Sequence, residues 1–377
     1  MSTIKTVLMS TAWLPFNAVG SWTTEMDYLL KRENQLDYVI GPRSAEHMEK
    51  PKQIFIDEVS FFDKIRSKKE PLNRFNPYIR ALRRVVSKED RILLQVKDNF
   101  GMLKAVLAYI QKNDLRKKIY VQYHFHSFYP FTSDEHILSQ IDELVLLTKS
   151  SYQSFQRVLN TFPMKVTICP DGVDSDTFKP VIPKEKEALR IKHGIDKEAL
   201  VFVWCSQDRK KKGLDLTLEL WSKLTKVHSN IHLCVIGLTR DVQLKNVTFF
   251  GELLNNELIE YYQLSDFYLF PTLCQEGFGL SLLEALKSGA YCIAANNGSV
   301  SELLNEGEYG KLIENPNMID DWIEGVNDAI SIYEENDRIN PHIEKIPKNL
   351  YDIHDWYVAY NDLIQRAKES FNFRFYI

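Results

Sequence analysis

The chain is poor in the signals that would take it out of the ordinary globular class. It has five cysteines, Cys169, Cys205, Cys234, Cys274 and Cys292, and no two of them form a CxxC pair. Four lie in or beside apolar, strand-like runs, so they read as buried free thiols of a reducing compartment and argue against a disulfide frame or a zinc site. No apolar run approaches the roughly 20 residues that a membrane-spanning helix needs. The opening segment MSTIKTVLMSTAWLP has one lysine and a short apolar run, and reads as a first buried strand rather than a secretory signal. Charge of one sign is also lacking. Lys and Arg number 47 and Asp and Glu 51, a net charge of -4, which gives no case for nucleic acid. Low-complexity segments and residue-level repeats are absent. These absences lead to the expectation of a cytoplasmic protein.

What is present is a soluble composition, 44% hydrophobic and 26% charged, over 377 residues, enough for two domains. Short apolar runs alternate with longer helical patterns. In the first half the strand candidates are 6–10, 37–41, 91–96, 118–126, 143–148 and 165–169. In the second they are 200–206, 231–237, 246–251, 266–271 and 290–295. Strand–helix alternation predicts parallel sheets with crossover helices, and two such series predict two doubly wound domains. The polar, proline-containing stretch around residue 180 separates the series. Expected domains are therefore 1–180 and 181–350, followed by a helix over 351–377 with Trp356, Tyr357, Tyr360 and Leu363 on one side.

The most chemical stretch is FPTLCQEGFGLSLLE, residues 270–284. A strand-like run ends at Pro271, a loop carries Glu276, Gly277, Phe278 and Gly279, and Leu280 opens a helix that contains Glu284. A glycine turn feeding a helix N-terminus suits an anion, because free N–H groups and the helix dipole point at it. Two carboxylates bracket the turn, which suggests a ligand with both phosphates and hydroxyls, such as a sugar nucleotide. The plainer reading, a helix-capping Glu276 and a solvated Glu284, is equally open on spacing alone.

The segment EGFGLSLLEALKSGAYCIAANNGSVSELL resembles the donor-site signature of retaining glycosyltransferases of family 4 (glycosyltransferase group 1). VTICPDGVDSDTFKP resembles that family's interdomain segment, with Asp171 where Asn is usual. NVTFFGELLNNELIEYYQLSDFYLFP resembles the run leading to its donor loop, and DIHDWYVAYNDLI its closing helix. The likeness covers residues 165–365 well and the first half loosely. It implies an α/β, GT-B fold: two Rossmann-like doubly wound domains facing a cleft, with a C-terminal helix crossing back to the first. The first domain would bind the acceptor and the second the nucleotide-sugar donor.

The resemblance also implies roles. Glu276 would hold the transferred sugar, Glu284 the ribose, and the N–H groups of Gly279, Leu280 and Ser281 the diphosphate. Lys212, in SQDRKKKGLDL, matches a family lysine that faces the donor phosphates. Its arginine partner falls on Arg209 or Lys211, since Ser206 occupies the common position. His124, with His126 as the alternative, corresponds to a histidine near the sugar or acceptor. Gly20 stands where the family has a glycine pair, and Phe250 to Leu253 would read the base. A solvated basic turn, a structural histidine and a helix-start Glu302 after Gly298 are the plainer readings of these positions. Asp174-Ser-Asp176 has DxD spacing but lies outside the donor loop and reads as a turn, so no metal or other cofactor is expected. Expected partners are a nucleotide sugar, UDP-linked or else GDP-mannose, and a glycan or polyprenyl- or lipid-linked acceptor. The stretch 64–84, with eight Lys or Arg against one Glu and Phe75, Tyr78, Ile79 and Leu82 interleaved, is a candidate contact with an anionic membrane surface.

Overall fold

Strands buried on both faces need helices above and below them, and most of the central strands here are apolar along their whole length. The computed structural model describes residues 3–15, 21–44, 46–56, 70–128 and 135–373. Gly20 and residues 64–69 of the basic stretch lie outside the described residues. The chain divides into two units, 1–170 with 355–377, and 171–354.

The first unit holds a seven-stranded sheet: β1 (Ile4–Met9), β2 (Tyr38–Gly41), β3 (Lys52–Phe55), β4 (Arg91–Lys97), β5 (Ile119–Phe125), β6 (Glu143–Leu146) and β7 (Lys165–Ile168). All pairs are parallel and the order is β3-β2-β1-β4-β5-β6-β7. The second unit repeats the plan with β8 (Leu200–Cys205), β9 (Ile231–Ile236), β10 (Val247–Phe249), β11 (Phe267–Phe270), β12 (Tyr291–Ala295) and β13 (Lys311–Ile313). Its order is β10-β9-β8-β11-β12-β13. Both sheets are Rossmann-like. Strand order reverses between β1 and β4 in one and between β8 and β11 in the other, and the carboxyl ends of strands at such a reversal are where open α/β sheets bind ligands.

Two strands, β3 and β13, have no counterpart among the predicted runs. Both are edge strands, of four and three residues, and each opens on a lysine. An edge strand buries one face only, so its apolar signal is weak.

Each sheet is pinned at its amino-terminal edge by a buried aspartate. Asp266 Oδ2 takes Arg190 Nη2 at 2.7 Å and the Val201 N–H at 2.8 Å, while Oδ1 takes Lys186 Nζ at 2.8 Å and the Tyr333 hydroxyl at 2.7 Å. In the first unit Asp142 receives both Arg116 guanidinium nitrogens at 2.8 and 2.9 Å and the Val121 N–H at 2.7 Å. Both aspartates are buried and well supplied with donors, the condition under which a buried charge offsets its own desolvation; Arg190 is buried with Asp266, whereas Arg116 stays partly exposed.

The closing helix, Ile353–Phe373, joins the first unit from Asp355 onward. Its Tyr360 hydroxyl donates to Gln95 Oε1 at 3.0 Å, and Gln95, Gln122 and Glu143 continue as a buried polar row across β4, β5 and β6. In the basic stretch, Phe75, Tyr78 and Leu82 belong to the core and Ile79 packs on it, while Arg74, Arg83 and Arg84 are exposed. The described part of this stretch therefore presents most of its charge outward and keeps Phe75, Tyr78 and Leu82 inside, while Leu72 is exposed. No described helix is long and apolar enough to cross a membrane.

Candidate active site

In the second unit the loops after β8 and β11 emerge side by side at the strand-order reversal. The β8 loop turns through Lys210–Lys212 and ends at Gly213, with φ 75°; a Cβ there would meet Pro271 O at 2.0 Å. That close approach brings the two loops together, and Leu273 N–H donates to Lys211 O at 2.8 Å. Lys212 Nζ then reaches Glu276 Oε2 at 2.8 Å and Oε1 at 3.1 Å. Thr272 Oγ1 donates to Glu276 Oε2 at 3.1 Å.

The Glu276 backbone is held as firmly as its side chain. Glu276 bridges Gly298, and a Cβ at Gly298 would lie 2.4 Å from both Glu276 N and O. Ser299 donates twice to Glu276 O, from N–H at 3.0 Å and Oγ at 2.8 Å. Asn297 Nδ2 donates to Thr272 O at 2.8 Å. The loop after β12 thus clamps the loop after β11. Thr272, Asn297 and Ser299 are part of the site and are absent from the residues named in the sequence; small polar loop residues carry no periodicity that would mark them.

Gly279 caps the helix Leu280–Lys287 with φ 103° and ψ 53°, a left-handed conformation that favours glycine. The first helical bonds run from Leu282 N and Leu283 N to Gly279 O, so the Leu280 and Ser281 N–H groups lie ahead of the ladder. Glu284, one turn further, is half-buried and accepts from the Tyr262 hydroxyl at 3.3 Å. Burial pushes its carboxyl up to about 7, and the Tyr262 bond opposes that only in part. An acid of that kind is ready to take hydroxyl donors that restore its charged form.

The remaining second-unit residues are less convergent. Arg209 and Lys211 are exposed, and neither side chain makes an ion pair among the described residues. Phe250 packs its ring on Tyr261 at 4.6 Å, and its N–H is taken by Val235 O at 2.9 Å. Leu253 is half-buried in the following loop. Asp174 closes a local turn, accepting from Asp176 N–H at 3.0 Å and the Thr177 hydroxyl at 2.7 Å.

In the first unit His124 is 3% exposed, with Nε2 3.1 Å from Gln122 Oε1 and its ring 5.5 Å from that of Tyr360. His126, just past β5, is half-buried and 6.1 Å from Trp22 between ring centres. Burial, reinforced by the nearby Lys97 ammonium, holds both imidazoles well below their ordinary range.

Residues 185–345 match the family model described as Glycosyl transferases group 1. The curated D-inositol 3-phosphate glycosyltransferase of Stackebrandtia nassauensis is 25% identical over 268 residues, 64% of this chain and 59% of that protein. The lipopolysaccharide glucosyltransferase of Escherichia coli K12 is 26% identical over 186 residues, 46% and 49% of the two chains. The chain thus spans half to three-fifths of the length of these relatives. Among solved structures, Anabaena HepE in complex with UDP and glucose superposes with a TM-score of 0.71 at 14% identity, covering 96% of this chain and 100% of that one. The fold is GT-B, and the matched segment with its named relatives supports a glycosyltransferase.

Proposed function

We propose that the protein is a retaining, metal-independent glycosyltransferase that moves a hexose-type sugar from a nucleotide-sugar donor to a glycan or lipid-linked acceptor. UDP is the favoured nucleotide, with GDP-mannose next; the UDP and glucose held by the HepE fold neighbour are the support for that order. The lipopolysaccharide glucosyltransferase among the relatives supports a cell-surface acceptor. The observation that carries the reading is the Lys212–Glu276 pair beside the Gly279 helix start, at the strand-order reversal of the second unit.

In this reading the Leu280 and Ser281 N–H groups and Lys212 receive the diphosphate, and charge growing on it as the glycosidic bond breaks is stabilised where it develops. Glu276, held by Lys212 and Thr272, accepts from sugar hydroxyls and supports the oxocarbenium-like state. Glu284 accepts from the ribose. Arg209 or Lys211 supplies the second phosphate cation, and Phe250 to Leu253 flank the base. With no nucleophile assigned, departure and attack take place on one face of the sugar. The acceptor lies on the first unit, near His124.

The test is to offer radiolabelled UDP-sugars and a polyprenyl or glycan acceptor, with EDTA present, to wild type and Glu276→Ala. Transfer by wild type and its loss in the variant are expected. Equal transfer by both sinks the proposed site, and donor binding without transfer to any acceptor favours a non-catalytic sugar-nucleotide protein.

A further inference from the structure

The β8 loop, which carries Lys212, is held from two sides. On the β11 side Gly213 abuts Pro271, and Lys211 O accepts from the Leu273 N–H. On the other side stands the loop after β9. Its first residue, Gly237, has φ 104°, and a Cβ there would meet Ser206 O at 2.0 Å. The Gly237 N–H donates to Gly251 O at 2.7 Å, which fixes the root of this loop against the end of β10. Further along it, Arg240 reaches back over the β8 loop. Its Nη2 donates to Asp208 Oδ1 at 2.6 Å and its Nε to Asp208 Oδ2 at 3.4 Å. Its Nη1 donates to Asp215 Oδ1 at 2.5 Å.

The two carboxylates bracket the turn. Asp208 precedes Lys210–Lys212, and Asp215 follows it in the first turn of the helix Leu214–Val227. One guanidinium therefore spans both ends of the segment that carries Lys212. A planar fork fixes such a spacing, whereas an ammonium on a flexible stem does not. Between the two anchors the turn is tied by the Lys212 N–H to Arg209 O at 2.8 Å, and Trp204 Nε1 donates to Lys212 O at 3.2 Å.

Stability does not account for the clasp. The Arg240, Asp208 and Asp215 side chains are 28%, 48% and 65% exposed, and ion pairs so exposed add little to it. Charge gives a second reason for it. Residues 208–215 hold four cations and two acids. Without Arg240 both acids would stand unopposed in the loop that offers Lys212 to an anion.

We propose that Arg240 is a positioning residue for sugar transfer: by holding Asp208 and Asp215 together it sets the β8 loop so that Lys212 reaches Glu276. It acts through the loop and touches neither donor nor acceptor. The effect on rate rests on the transferase reading above; the effect on Lys212 does not.

The test uses the full chain and two measurements. The first is competitive acetylation of lysines, read residue by residue by mass spectrometry. Arg240→Gln is expected to raise the labelling of Lys212 several-fold relative to the exposed Lys210. Lys311→Gln, which breaks the comparably exposed Lys311–Asp328 pair of the same unit, leaves it unchanged. The second is steady-state transfer. Arg240→Gln is expected to lower kcat by about 10-fold or more, with donor KM moving less, since a displaced Lys212 loses an interaction that strengthens as the diphosphate departs. Arg240→Lys falls between wild type and Arg240→Gln. In an Asp208→Asn/Asp215→Asn background, Arg240→Gln has no further effect, because its partners are already gone. Unchanged Lys212 labelling in Arg240→Gln overturns the proposal, as does an unchanged kcat. A full loss of kcat on adding Arg240→Gln to the Asn background also overturns it, and makes Arg240 a direct donor contact. If Arg240→Gln does not fold, Asp208→Asn/Asp215→Asn must by itself raise Lys212 labelling and lower kcat, and wild-type values there overturn the proposal. If wild type transfers no sugar, the transferase reading fails, and the labelling alone decides whether Arg240 places Lys212.

Discussion

Lys212 Nζ sits 2.8 and 3.1 Å from the two carboxylate oxygens of Glu276, joining the loop after β8 to the loop after β11. Both side chains keep some contact with solvent, 21% and 16% exposed, so the pair itself stabilises the fold by about 1 kcal/mol or less. In the proposed reading, a pair worth that little to stability, placed where open α/β sheets bind ligands, has its larger effect on the ligand.

Glu276→Ala and Lys212→Met are therefore expected to lower sugar transfer by roughly 100-fold or more while moving the melting temperature by only a few degrees. Transfer assays and circular-dichroism melts on the same preparations check this. Melting shifts above about 10 °C with little change in transfer would mark the pair as structural.

Gly298→Ala tests the backbone clamp. The new methyl group would be 2.4 Å from Glu276 N and O in a left-handed conformation with φ 71°, so the β11 loop must move away. Transfer is expected to fall roughly 100-fold, because a shift of about 1 Å in a positioning group costs that much. Side-by-side donor-affinity measurements and circular-dichroism melts separate a local displacement from general unfolding.

Glu284 links pH to both stability and donor binding. Its carboxyl is raised from 4.5 to about 7 in the fold, so between those values the unfolded chain is ionised while the folded one still holds the proton. This contribution to stability is present below about 4.5 and is lost as pH rises towards 7. Glu284→Gln removes it, and the variant is expected to gain on wild type by about 1–3 kcal/mol from pH 5 to pH 8, measured by urea unfolding at each pH. Donor affinity runs the opposite way. The ionised carboxylate is the better acceptor for ribose hydroxyls, so wild-type UDP affinity is expected to rise through pH 7 and that of Glu284→Gln to stay flat. A flat wild-type profile would remove Glu284 from the ribose role.

Much of this arrangement was legible in the sequence because the strands that build the site are central ones. A strand such as Leu200–Cys205 or Tyr291–Ala295 is buried on both faces and shows as an unbroken apolar run. The edge strands Lys52–Phe55 and Lys311–Ile313 did not show, having one buried face and three or four residues. Glu276 and Lys212 stood out through glycines beside them, and Gly213 and Gly298 are among the positions where a side chain cannot fit. Thr272, Asn297 and Ser299 had no such marker, since what they do depends on three loops meeting. Lys97 was written openly as a charge closing the run RILLQVK, but nothing in a one-dimensional pattern says that Trp22, Trp356 and Tyr360, far apart in sequence, surround it.

That enclosure gives a last test, one that needs no substrate. The His124 imidazole is held well below 6.5, first by burial and second by the Lys97 charge, and His126 is shifted the same way for the same reasons. A base with a depressed folded-state value contributes stability that is whole above about 6.5 and is lost as pH falls, because the unfolded chain takes up protons that the folded one refuses. Wild type is expected to lose up to about 1.4 kcal/mol per pH unit for each histidine between pH 6.5 and pH 5. His124→Gln removes one of these contributions and flattens the slope. Lys97→Met acts from outside the imidazoles: with the ammonium gone, both take up protons more readily in the fold, and the slope is again shallower. Urea unfolding of the three proteins across this range measures it. A slope that His124→Gln leaves unchanged means that this imidazole is not held neutral in the fold, whereas a slope unchanged only in Lys97→Met means that burial, the larger cause, suffices over this range.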